Sequence, residues 1–148
     1  MYSKIYSKEV ESYKEIWDNF DNKTLRDSWT DYAAGIYITQ HKPSENGIDE
    51  AIFKFYSKFF TPKEIECILW YAKRIYFYDY FCYETIWRER FLEAFNDTDF
   101  DKSVLYSTLD YYEKELRSYK ELFLSMFSPE ELQRIYQNYG DYEGEMRL

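Results

Sequence analysis

Residues 61–95 read TPKEIECILWYAKRIYFYDYFCYETIWRERFLEAF, the longest stretch of the chain with one sustained period. Thr61, Pro62 and Glu64 form a helix start. Thr caps, Pro suits the first turn, and Glu reaches back to the cap. Behind them, Ile65, Ile68, Leu69, Ala72, Ile75, Tyr76, Tyr80, Tyr83, Ile86, Trp87 and Phe91 recur at spacings of three and four. That is the helical period. One straight helix over these residues would run about 51 Å. A domain of this length has a gyration radius of about 15 Å. The helix is therefore expected to kink or break, most readily in Ile75–Tyr83, where aromatics crowd the chain and favour strand.

C-terminal to this stretch, Leu105, Leu109, Tyr112, Leu116, Tyr119, Phe123 and Met126 alternate spacings of four and three, a heptad seam. The short connection at Asn96–Asp99 predicts that 62–95 and 100–127 form a long antiparallel helical hairpin. Ser128, Pro129, Glu130 and Glu131 repeat the capping logic and open a helix to about Asn138. Gly140 stops it, and 141–148 is expected to fray.

On the N-terminal side, Tyr6, Val10, Tyr13, Trp17 and Phe20 predict a helix over about 3–20. A second starts near Thr24 and carries Leu25, Trp29, Tyr32 and Ala33. Gly35–Thr39, β-branched and aromatic, reads as a short strand as readily as helix. His41–Gly47 has turn chemistry, and Ile48, Ile52, Phe55 and Phe59 predict a short third helix. The expectation is an all-α bundle of five to six helices, a single domain over 1–148.

Composition narrows the classes. Of 148 residues, 23% are aromatic and 45% hydrophobic, which argues against disorder. Gly (4) and Pro (3) are too few for a collagen-like or low-complexity chain. The net charge of −9 disfavours direct nucleic-acid binding and anionic membranes, since both need clustered Lys and Arg. Residues 97–148 hold 12 acids and 6 bases, so most of the imbalance lies there. No run approaches the ~20 apolar residues of a membrane span, and the N-terminus lacks an apolar leader core. Cys67 and Cys82, on one helix, would lie ~22 Å apart, too far to pair. Two buried, reduced thiols suit a cytoplasmic protein, of its own cell or of something infecting it.

Few residues have the pattern of a reaction site. A single histidine, His41, removes ferritin-like di-iron sites and His-rich zinc sites. Asp97, Asp99 and Asp101 resemble the start of a calcium loop, but Lys102 and Thr108 stand where its Gly and Glu belong. Helix capping is the simpler role for these acids. No phosphate loop or nucleophile elbow is present, and no cofactor is expected. Asp79 and Arg90 fall on the apolar stripe of 62–95, as an interhelical pin or a polar pocket.

A second aromatic stripe, Trp70, Phe77 and Phe81 with Arg74 beside it, fits either a central helix or a partner interface. With the acids Glu130, Glu131, Asp141, Glu143 and Glu145, it is the candidate partner-binding set. The favoured function is a non-enzymatic inhibitor or binding protein that docks on a basic surface of another protein. Such a surface could itself be a nucleic-acid groove, as for phage anti-defence proteins, by analogy of composition. Toxin immunity, a homodimeric structural module, and an enzyme built around Asp79 are the alternatives.

Overall fold

The computed structural model describes residues 8–40, 46–82, 84–94 and 101–139, and every regular element among them is α-helical. The eight helices are α1 (Lys8–Asp18), α2 (Lys23–Gln40), α3 (Asn46–Tyr56), α4 (Pro62–Cys82), α5 (Glu84–Ala94), α6 (Lys102–Ser118), α7 (Lys120–Ser125) and α8 (Pro129–Tyr139). This exceeds the expected five to six in part because the heptad segment divides, while α4 and α5 are separated by Tyr83, which lies outside the described residues. The aromatic-rich stretch stays helical through Cys82, and α5 starts at Glu84. The heptad segment breaks at Tyr119, whose N–H bonds to the Leu116 carbonyl at 3.0 Å, tightening the last turn of α6.

The capping signals act as read. The Thr61 hydroxyl accepts from the Glu64 N–H at 3.2 Å, and the Glu64 carboxylate accepts from the Thr61 N–H at 2.9 Å. Ser128 and Glu131 make the same reciprocal pair at 3.2 and 3.1 Å. Asn22 caps α2 through the Leu25 N–H, and Asp101 caps α6 through the Ser103 N–H. Each such cap is worth about 1 kcal/mol. The hydroxyl or carboxylate takes an N–H that the helix leaves without an internal acceptor.

The strand expected near 35–39 is the C-terminal end of α2. Packing overrides local preference here. Arg26, Thr30, Ala33, Ala34 and Tyr37 repeat at helical spacing and are all buried. A strand would point Ile36 and Ile38 one way and Tyr37 the other, breaking that stripe.

The chain, expected as one domain, divides into two compact units, Ser7–Tyr76 and Phe77 onward. In the first, Val10, Phe20, Ala33, Tyr37, Ile52, Tyr56, Ile65 and Ile68 make the core. Arg26 is buried there: it donates to the Trp17 carbonyl at 2.7 Å and lies 4.0 Å over the Trp17 ring. In the second, the core is Phe77, Tyr80, Phe81, Trp87, Phe91, Leu109, Leu116, Phe123, Met126 and Leu132. Trp87, Phe91, Phe123 and Phe77 have no exposed surface, each contributing about 1.5–3 kcal/mol by burial. Phe91 meets Tyr112, and Phe81 meets Phe123. Arg88 meets Glu113 and Phe91 meets Tyr112, so α5 and α6 run antiparallel, whereas Phe77 and Phe81 meet Tyr119 and Phe123 in the same chain order. Arg88 of α5 clamps the buried Glu113 of α6, its Nε and Nη2 donating from one guanidinium edge to the two carboxylate oxygens, and Arg117 adds a 3.5 Å contact.

No described helix is long and apolar enough to cross a membrane. Cys67 and Cys82 are free and buried. Loss of solvation, above all, pushes both thiols up to about 12.

Candidate functional site

The open apolar surface of Ser7–Tyr76 lies between α2 and α3. On α2, Trp29, Tyr32 and Ile36 sit on a strip beside the buried Ala33–Tyr37 face. On α3, Ile48, Ala51, Ile52 and Phe55 form the facing strip, and Phe59 follows in the turn. Spacings of three and four on both helices place these residues along one side of each. The result is a groove of about 470 Å³, continued by a smaller hollow of about 280 Å³ beside Ser28 and Trp29.

Its rings form a cluster. Trp29 lies 5.0 Å from Phe59, 5.7 Å from Phe55 and 4.7 Å from Tyr56 between ring centres. Tyr56 is buried beneath them, yet Tyr32, Phe55 and Phe59 remain 61%, 46% and 53% exposed.

Beneath the apolar floor, polar bonds tie the helices together. The Tyr56 hydroxyl donates to the Trp29 carbonyl at 2.9 Å, tying α3 to α2. The Tyr37 hydroxyl donates to Asp49 Oδ1 at 2.6 Å, and Lys73 Nζ of α4 donates to Asp49 Oδ2 at 2.7 Å. Lys73 also lies 5.8 Å over the Tyr37 ring. Burial pushes the Tyr37 and Tyr56 hydroxyls far above the usual phenol range, with the Asp49 hydrogen bond adding to the shift at Tyr37. Both stay protonated donors, so they anchor helices and supply no base.

The residues singled out from sequence are not assembled into one surface. Trp70 stacks on Tyr13 at 5.3 Å and meets the edge of Tyr71, with Arg74 over both rings. Trp70 and Arg74 thus lie in an α1–α4 stack. Phe77 and Phe81 are corrections: both are buried, Phe77 against Tyr119 and Phe81 against Phe123. Their stripe is the second side of a central helix, because α7 supplies rings to cover it. Glu130 is exposed, whereas the Glu131 carboxylate caps α8. Asp141, Glu143, Glu145 and the Arg90 side chain lie outside the described residues, as do Asp97 and Asp99. Asp79 is half-buried and engaged by neighbours, and its charge adds to the shift at Cys82. No group of three metal-ligating side chains occurs among the described residues.

Sequence reasoning missed the groove. Its signal was the α2 strip itself: Trp29, Tyr32 and Ile36 recur at helical spacing, but only if the helix continues past Gly35. Ending the helix there hid the strip. The chain matches no protein-family model, no curated protein and no solved structure.

Proposed function

We propose that this protein acts by binding another protein, without a catalytic role, and that the α2–α3 groove is the primary contact. The exposure of Tyr32 and Phe55 around one hollow, with Phe59 beside it against Trp29, carries this reading. Aromatic anchors flanking a preformed groove are the usual centre of a binding interface. The polar groups beneath the groove, Tyr37, Asp49, Lys73 and Tyr56, are engaged in helix-to-helix hydrogen bonds, which supports a binding role over acid–base chemistry there.

A second surface supports docking on a basic partner. Phe77–Leu148 holds sixteen acids and eight bases, and Asp110, Glu121 and Glu130 are exposed there. Such a surface steers and orients more than it anchors. Affinity capture from the native source tests both components. Wild type should retain a partner that Phe55→Asp loses, and high salt should slow capture without abolishing it. Identical captures by wild type and Phe55→Asp would remove the groove from the interface.

A further inference from the structure

The groove carries a charge opposite to that of the molecule around it. Successive residues turn by about 100° on a helix, so positions i, i+4, i+7 and i+11 share a strip. On α3 and the turn after it, that rule puts Gly47, Ala51, Lys54 and Lys58 on the outer lip of the groove. Both lysines are exposed. The Lys58 ammonium reaches 5.6 Å over the Phe55 ring, so its charge stands above the apolar floor. Neither lysine enters an ion pair among the described residues.

The α2 lip follows the same rule with Ser28, Tyr32, Gly35 and Thr39, none of them charged. Most nearby acids are turned elsewhere. Asp31 lies about 100° round α2 from Tyr32, on the side away from α3. Asp27 pairs with Arg26 at 2.8 Å, and Asp49 is held under the floor by Lys73 and Tyr37. Glu50 stands one turn before Lys54 at the outer edge of the same strip and offsets part of its charge, which leaves Lys58, over the Phe55 ring, as the main cation of the lip. The groove therefore has an aromatic floor, one cationic lip and one hydroxyl-bearing lip, within a chain of net charge −9.

Resting on the binding role proposed above, we infer that the groove receives an acidic amphipathic helix of a partner protein. Its apolar face would lie on Trp29, Tyr32, Phe55 and Phe59, with its carboxylates against Lys54 and Lys58. The lined part of α2, Trp29 to Gln40, spans about 16 Å, room for three helical turns with anchors at i, i+4 and i+7.

Two synthetic helical peptides test this, each with leucines at i, i+4 and i+7, one with glutamates beside them and one with lysines. Each is titrated calorimetrically into the full chain at low and at physiological salt. The glutamate peptide is expected to bind about five- to tenfold more tightly, with the gap shrinking in salt. Charge reversal at both lysines, K54E with K58E, should invert the preference while circular dichroism shows unchanged helix content. Equal affinities, or a preference of the native chain for the lysine peptide, would overturn the acidic occupant and leave the groove as an apolar seat. Failure of both peptides to bind would overturn the groove reading itself. A concentration-dependent dimer that Phe55→Asp dissociates would make a second copy the occupant and overturn the inference.

Discussion

From Phe77 onward, Phe77, Trp87, Phe91 and Phe123 are enclosed by neighbouring rings and aliphatic side chains. In Ser7–Tyr76, three rings of the Trp29 cluster stay half in water. The two units also differ in charge: sixteen acids to eight bases in Phe77–Leu148, twelve to ten in Ser7–Tyr76. The acidic unit closes its aromatics in a core, and the nearly neutral unit leaves an aromatic groove open. The α6 helix does expose Tyr106 and Tyr111, but five residues of spacing puts them on different sides of it. High aromatic content thus has two outcomes, set by whether another helix of the same unit supplies the covering side chains.

Truncation breaks or sharpens this contrast most directly. Trp87→Ala or Phe91→Ala should cost about 3–5 kcal/mol in denaturant unfolding, since each leaves a cavity. Phe59→Ala should cost under about 1 kcal/mol, because its ring is already half hydrated. Equal losses would mean that the groove rings are as enclosed as the core.

The Glu113 clamp comes next. Arg88→Met would leave the buried carboxylate with only the 3.5 Å Arg117 contact. Full removal of a buried partner costs about 3–5 kcal/mol. Arg88 is itself 47% exposed, so a loss of about 2 kcal/mol is expected in the same unfolding measurement. Glu113→Gln should cost less than Arg88→Met, because an amide carries no charge to strand. The reverse order would show that the arginines, not the carboxylate, define the clamp.

Tyr37→Phe should cost about 1 kcal/mol by removing the hydrogen bond to Asp49, with Lys73 still holding that carboxylate. No loss at all would mean that Lys73 alone secures the groove floor.

The last comparison is in alkali. The folded thiols are held near 12 against an ordinary value of 9.0, so the folded chain keeps protons that the unfolded chain releases. Their contribution is fully present below pH 9 and is lost as pH rises from 9 towards 12. Replacing both cysteines with alanine should flatten that part of the stability profile. An unchanged alkaline slope would assign it to Tyr37 and Tyr56.

The helical class was legible because period and capping agree at each start. Thr61–Glu64 and Ser128–Glu131 announce α4 and α8 in four residues each. Gly35–Thr39 was not, since strand preference there is local while the burial of Tyr37 is tertiary. For the same reason Phe77 and Phe81 read equally as a central helix's second side or as an interface: their cover comes from Tyr119 and Phe123, some forty residues away in sequence. The charge pattern at the groove was hidden by averaging. Two lysines on one lip disappear in a total of −9.

The placement of the four tryptophans gives the molecule its own optical reporters. Trp87 is sealed and alone in its unit, so its emission should lie to the blue and resist soluble quenchers. Trp29 stands half-buried among the exposed rings of the groove, and Trp17 and Trp70 are half-buried elsewhere in the same unit. With Trp17 and Trp70 changed to phenylalanine, light from Trp29 would report occupancy of the groove and light from Trp87 the integrity of the other unit's core, in a single sample without a dye.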